Sequence, residues 1–156
     1  VEVRIEQRPE RNEMVLVVED DGPGLPVPAA QALDPFFTTK PGKRVGLGLS
    51  LLQAAAERAG GALNLSTSPH GGLALRATML MNHLDRAPLG DLPATLATLL
   101  CGSPGVRFRV ILIARTRVEL DSDRTAERLS AAGAGEVALA FAGELREALD
   151  RVEMRP

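Results

Sequence analysis

Residues 33–58, LDPFFTTKPGKRVGLGLSLLQAAAER, constrain the fold more than any other part of the chain. Leu49, Leu52 and Ala56 recur at helical spacing, with Gln53, Glu57 and Arg58 on the opposite side. This predicts an amphipathic helix that ends near Ala59, where Gly60 and Gly61 stop it. The helix opens on Gly46-Leu47-Gly48-Leu49-Ser50. Glycines at a helix start let a ligand come close to the free backbone N–H groups of the first turn, where the helix dipole also places partial positive charge. Just upstream lie an aromatic and threonine knot, Pro35-Phe36-Phe37-Thr38-Thr39-Lys40, and a flexible basic stretch, Pro41-Gly42-Lys43-Arg44. The combination reads as a polyphosphate site with a mobile cationic cover. Lys40, Lys43 and Arg44 are the candidate phosphate partners. Without the glycine-rich turn they would read as an ordinary solvated loop. Phe36 and Phe37 are candidate plugs that fasten the loop to the core, a role compatible with plain core packing.

The segment before this one supplies the other end of a site. Val1, Val3 and Ile5 alternate with Glu2, Arg4 and Glu6, as in a half-buried strand. After a polar turn holding Pro9 and Asn12, residues 15–18 are apolar throughout, which predicts a central strand covered on both faces and paired with the first as an antiparallel hairpin. That strand runs into Glu19-Asp20-Asp21-Gly22-Pro23-Gly24. A carboxylate at a strand end can accept the exocyclic amine of adenine, and glycines let the backbone pass close to a flat ring and turn sharply. In isolation the same residues describe an acidic turn closing a strand. Followed by the phenylalanine knot and the glycine-opened helix, the base-binding reading is the stronger.

Bulk properties narrow the function classes. With 156 residues, the chain forms one compact domain or a domain with an appendage. It is 45% hydrophobic but 3% aromatic, without Trp or Tyr, so its core must be built from Leu, Val and Ala. A net charge of −2 gives no electrostatic footprint for nucleic acid. The single cysteine, Cys101, excludes an internal disulfide and a multi-cysteine metal site, fits a reducing cytoplasm, and reads as a small buried hydrophobe. His70 and His83 are too few for a histidine metal cage, and His70 sits in a turn as a surface residue. No apolar run reaches the length of a membrane span, and no signal peptide is visible. The chain opens on a strand without an initiator Met and reads as a fragment.

Downstream, residues 26–32 form a connection with at most one helical turn. Residues 61–67 predict a strand, 68–72 a hairpin turn, and 73–81 a return strand. His83, Asp85 and Arg86 form a small polar group in an irregular connection and read as structural. Asp91 caps a helix lined by Leu92, Leu96, Leu99 and Leu100. Strands follow at 106–114 and 117–120, then a helix from Ser122 or Asp123 to about Ala132, and a last helix over 143–153 with Leu145, Ala148, Leu149 and Val152 on one face.

Three boxes in order, Asp20-Asp21-Gly22-Pro23-Gly24, Asp34-Pro35-Phe36-Phe37-Thr38-Thr39-Lys40 and Gly46-Leu47-Gly48-Leu49-Ser50, resemble the ATP-binding domain of sensor histidine kinases. That domain is part of the GHKL ATPase superfamily, which includes gyrase and the mismatch-repair ATPases. Gly71-Gly72 corresponds to a third glycine box. The resemblance covers about half of the chain. It implies an α/β (α+β) two-layer sandwich of the Bergerat type, a mixed, mostly antiparallel sheet with helices on one face, over residues 1–82, with an α/β extension of unknown role over 83–156. It implies binding of ATP or ADP, with Asp20 on the adenine amine, Gly22 and Gly24 lining the base and starting the lid, Lys40, Lys43 and Arg44 near the phosphates, and Gly46 and Gly48 presenting N–H groups; Phe37, Thr39, Leu47 and Leu49 belong to the same set. It further implies phosphoryl transfer in signal transduction, a protein partner, a possible homodimer, and magnesium. The family's magnesium-holding Asn lies on a helix upstream of Val1, and Asn12 is no substitute, so the chain by itself is expected to turn ATP over poorly, if at all. Two positions depart from the family pattern: Arg44-Val45 replaces the usual Gly-Thr, and Leu73 stands where a Thr is usual. No phospho-accepting histidine box is present, which leaves a non-catalytic regulatory module as the alternative. The segment after His83 resembles stand-alone ATP-binding proteins of iron-hydrogenase gene clusters.

Overall fold

The structure is a computed structural model that describes residues 1–38, 46–103, 105–130 and 132–154. Its elements are β1 (Glu2–Arg8), β2 (Glu13–Glu19), α1 (Ala29–Ala32), α2 (Leu47–Arg58), β3 (Ala62–Thr67), β4 (Leu73–Leu80), α3 (Leu92–Gly102), β5 (Arg109–Ile113), β6 (Arg117–Asp121), α4 (Ser122–Arg128) and α5 (Ala134–Arg151). The strand order is β3-β4-β2-β1-β5-β6, in an α+β fold. The sheet is mixed because β1 and β5 run parallel, whereas β2–β4, β3–β4 and β5–β6 are antiparallel. The chain divides into two compact units, residues 7–87 and residues 1–6 with 88–156.

In the unit of residues 7–87, β4 is the middle strand, with Ala77 opposite Leu16 of β2 and Leu63 of β3. Helix α2 packs on β3 and β4 through Ala56 and Ala59, both fully buried, over Leu63, Ala77 and Met79. Small residues on that helix face bring its backbone near the strands. Gly61, just after the helix, goes further: a side chain there would run into the Thr78 carbonyl. On β2, Met14 and Val15 are buried, but Leu16, Val17 and Val18 are only half-buried, so the strand is not covered on both faces along its length. Asn12 takes a left-handed conformation (φ 50°), pairs with the Asn82 side chain, accepts the Asn82 N–H at 3.2 Å, and offers its carbonyl to Met81 N–H at 2.9 Å. It fastens the end of the sheet. His83 Nδ1 accepts the Asp85 N–H at 3.1 Å and Arg86 Nε donates to the Met81 carbonyl at 2.8 Å, a structural use of that polar group. His70 is exposed.

In the other unit, Val3 and Ile5 of β1 face Val110 and Leu112 of β5, and these face Leu120 and Val118 of β6. Ile5, Val110, Leu112, Phe141, Leu145, Val152 and Met154 make its core, with α3 packed on α5. The alternate residues carry charge: Arg4 pairs with Glu2 at 2.8 Å, Arg109 with Glu2 at 3.6 Å and with Glu119, and Arg117 with Glu119 at 3.3 Å.

Several expectations are corrected here. Helix α5 begins at Ala134, well before residue 143, because Ala138, Phe141, Ala142 and Leu145 lie on one buried stripe. Burial of that stripe outweighs the roughly 1 kcal/mol that a helical glycine such as Gly143 costs. A carboxylate also holds the helix start, since Glu136 accepts the Gly133 N–H at 2.9 Å. Helix α4 stops at Arg128 rather than near Ala132, with Leu129 N–H turned back to the Thr125 and Ala126 carbonyls. β5 starts at Arg109 rather than 106, since Val106 is exposed and its N–H closes a turn onto Ser103. On α3 the buried residues are Pro93 and Leu96, whereas Leu99 is 44% exposed. Cys101, read as buried, is exposed near the end of the same helix.

Candidate functional site

The hydrogen-bond ladder between β2 and β4 does not stop at Glu19. Asp20 N–H donates to the Leu73 carbonyl at 3.0 Å, and the Asp20 carboxylate folds back on the same region. Its Oδ1 accepts the Leu73 N–H at 3.1 Å and the Gly22 N–H at 2.9 Å. The carboxylate is therefore held on two backbone donors through one oxygen. Carboxylates bonded to backbone N–H groups form the stronger, charge-assisted class of hydrogen bond. The second oxygen, Oδ2, has no protein partner among the described residues, so it remains an acceptor for a ligand donor.

The hairpin tip that meets Asp20 is Gly71-Gly72. Gly71 has φ +96° and makes the turn; Gly72 has an ordinary φ and is a glycine for a different reason. A Cβ at Gly72 would overlap Asp20 Oδ1 and come within 2.5 Å of the Asp20 carbonyl oxygen and 2.6 Å of the Gly22 nitrogen. Beside this contact lies a hollow of about 360 Å³ whose walls include Pro23, Gly24, Leu25, Ser66 and Gly71. Asp20 and residues 46–49 are not among its lining.

At the other predicted end, Asp34 organises the phenylalanine box. Its side chain accepts the Phe36 N–H at 2.8 Å and its carbonyl the Phe37 N–H at 3.0 Å. The tight turn leaves Phe36 79% exposed, so it is not a plug; Phe37 is half-buried. Gly46 N–H donates to the Pro35 carbonyl at 2.9 Å, and a side chain at Gly46 would collide with the Phe37 carbonyl. This glycine is thus required by the chain's own backbone, not only by a visitor's. Gly48 differs, because a Cβ there would meet nothing within 4 Å among the described residues. Among the described residues, no side chain caps the first-turn N–H groups of helix α2. These donors are the available set for an anion. Leu47 is exposed and Leu49 half-buried. Thr39, Lys40, Lys43 and Arg44 lie outside the described residues.

The structure thus ties Asp20, Gly22 and Gly24 to the Gly71-Gly72 hairpin, and ties Gly46 to Phe37. Sequence reasoning left out the part played by Gly72 and by the Leu73 amide. The signal was present: a tight turn used one glycine of the pair and left the second unexplained. Among the described residues no group of three or more His, Cys, Asp or Glu is placed to hold a metal ion. Nor, among those residues, is any helix long and apolar enough to cross a membrane.

A mixed sheet with helices packed on it makes this an α+β domain, with an amide-held carboxylate just past the end of one strand. The family described as histidine kinase-, DNA gyrase B-, and HSP90-like ATPase matches residues 1–83, more than half of the chain, and the protein belongs to that family.

Proposed function

We propose that this ATPase-family domain is of histidine-kinase type, binding adenine nucleotide under a basic lid for phosphoryl transfer in signal transduction. The domain proper takes in residues 1–82, with 83–156 as an extension. The observation that carries the reading is the Asp20 carboxylate, fixed through Oδ1 and offering Oδ2. Adenine presents an exocyclic N–H donor, and a fixed acceptor recognises it at little entropic cost. Gly22 and Gly24 keep side chains away from the ring. The N–H groups of Leu47, Gly48 and Leu49 at the start of α2 serve the phosphates, while Gly46, whose own N–H is held by the Pro35 carbonyl, shapes the turn that presents them. Thr39, Lys40, Lys43 and Arg44 add hydroxyl and positive charge from the lid. Phe37, half-buried, anchors the lid's first residues. Such a site works by positioning and electrostatics rather than by a covalent nucleophile. Magnesium, when bound with the nucleotide, neutralises charge on the phosphates.

The setting this reading implies is cytoplasmic, with a phospho-accepting or regulatory protein as partner, a homodimer as the expected assembly, and no nucleic acid. A second reading, a nucleotide-dependent switch without catalysis, is favoured by one observation. Residues 88–156, together with residues 1–6, enclose a buried core around Ile5, Phe141 and Leu145, which is more structure than nucleotide binding calls for. Transfer of labelled phosphate to protein separates the two readings.

The primary test is calorimetric titration of ATP into the full-length protein and its Asp20→Asn variant. An Asn at 20 can keep its oxygen on the Gly22 and Leu73 amides while turning an NH₂ group toward the adenine amine, donor against donor. Loss of a charge-assisted hydrogen bond weakens affinity by about 10- to 100-fold. Absence of ATP binding by the parent protein, or equal affinity in the variant, would overturn the proposal.

A further inference from the structure

The geometry points to Gly72 as the positioning residue for the base end of the site. This inference rests on the reading of Asp20 given above and extends it from which group contacts the base to what holds that group. Asp20 sits just past the end of β2, a place where a short carboxylate side chain ordinarily samples several rotamers. Here one rotamer is selected because Oδ1 takes two amides from two different segments, Gly22 from its own turn and Leu73 from the start of β4. The bond from Leu73 requires the β4 backbone to lie directly against the carboxylate. That approach exists only because residue 72 has no side chain: the space a Cβ would fill is already taken by Asp20 Oδ1, by the Asp20 carbonyl oxygen at 2.5 Å and by the Gly22 nitrogen at 2.6 Å. Two of these three are backbone atoms, so the overlap cannot be relieved by swinging one flexible side chain.

The identity of residue 73 fits the same logic. Leu73 contributes through its backbone alone, donating to Oδ1 and accepting from Asp20 N–H. Its apolar side chain supplies no hydrogen bond. The selectivity of the site for a base with an exocyclic amine is therefore set by backbone geometry at 72 and 73. A substitution at 72 would move the acceptor without removing it. Affinity for any purine triphosphate would then persist through the phosphate end, while discrimination at the base end would be lost.

The experiment compares binding of ATP and inosine triphosphate, in which a carbonyl replaces the exocyclic amine, by the full-length protein and its Gly72→Ala and His70→Ala variants. His70 is exposed at the same hairpin tip and controls for changes there. The parent protein and H70A are expected to favour ATP by ~10-fold or more, and G72A to bring the two ligands within ~3-fold of each other. If the parent protein does not discriminate, the assignment of Asp20 to the base is wrong. If it discriminates and G72A does so equally, that assignment stands and the positioning role of Gly72 is refuted. Should G72A fail to fold, the parent protein answers by NMR. The Gly22 and Leu73 amide protons are expected to move together between the parent protein and Asp20→Asn, as the two donors that share Oδ1. Amides indifferent to that substitution overturn the inference.

Discussion

The Arg107 guanidinium closes on the Asp121 carboxylate, and the same carboxylate caps α4 by accepting the Asp123 N–H at 3.0 Å. Asp121 is 7% exposed, so a charge is buried at the junction of β6 and α4 with two sets of donors around it. The hydrogen bond from Arg107 holds its carboxyl below the ordinary carboxylate range, against the opposing pull of burial. A group depressed in the folded state contributes stability that is present above its unfolded pKa, about 4. That contribution fades as the pH falls below this value toward the folded pKa. Urea midpoints of the parent protein and Asp121→Asn, compared from pH 7 to pH 3, are expected to differ most near neutrality and to converge in acid. A gap that stays constant across the range would mean that the charge contributes nothing. Asp121→Ala, which also removes the cap, is expected to cost about 1 kcal/mol or more at pH 7.

The core of the 88–156 segment offers a larger effect. Phe141 and Leu145 are both 0% exposed, one turn apart on α5. Phe141→Ala removes an aromatic ring from a packed site and leaves a cavity, at a cost of roughly 3–5 kcal/mol. Leu139, on the same helix but 73% exposed, is the contrast. Leu139→Ala is expected to change stability by less than about 0.5 kcal/mol. Chemical denaturation of both variants checks the pair, and similar losses in the two would contradict the placement of α5.

Gly61 makes a sharper prediction in the other unit, because the neighbour is backbone. A methyl group there meets the Thr78 carbonyl oxygen and carbon and lies 2.9 Å from the Met79 nitrogen. Gly61→Ala must therefore push β3 from β4 at its first pair, and overpacking of this kind costs about 1–3 kcal/mol. The measurement is amide hydrogen exchange. Faster exchange is expected at Ala62, whose N–H reaches the Thr78 hydroxyl at 3.2 Å, and at neighbouring residues on the shared edge. Unchanged exchange across β3 would show that the contact is not close.

What could be read from the sequence followed from local periodicity. The strands around Val3 and Ile5 and around Ala77 and Met79 alternate, α2 repeats Leu52 and Ala56 at helical spacing, and Asp91 caps α3 at 2.9 Å as its position suggests. The misses have a common cause. The first half of α5 is rich in Ala and carries an apolar residue, Leu139, on its exposed side, so its hydrophobic pattern is weak and burial of Ala138, Phe141 and Ala142 is what marks the helical face. Leu99 and Cys101, two residues apart, flank the buried Pro93 and Leu96 stripe of α3 on opposite sides, and helical spacing alone does not say where that stripe is centred. At the site, the glycines were legible as glycines but not in their reasons. Gly46 is demanded by the Phe37 carbonyl and Gly72 by Asp20, and both are contacts between residues distant in sequence or across a loop.

Gly46 and Gly48, two residues apart, are predicted to respond in opposite ways to the same change. Gly46→Ala drives a methyl group into the Phe37 carbonyl and strains the bond from Gly46 N–H to Pro35, so the fold loosens where the phenylalanine box meets α2. Gly48→Ala adds its methyl group in space free of described residues, within the first turn of a helix. Alanine is the better helix former by up to about 1 kcal/mol, so the fold is expected to hold or to gain slightly. On the proposed reading that same space is where phosphate oxygens approach the helix amides, and a methyl group there obstructs them. Gly48→Ala is thus expected to raise or preserve the melting temperature while weakening ATP binding by ~10-fold or more, the loss of one strong hydrogen bond's worth of affinity. Thermal melts and ATP titrations on the two variants decide the matter. A Gly48→Ala protein that binds ATP as tightly as its parent would show that the start of α2 is not where the phosphates sit.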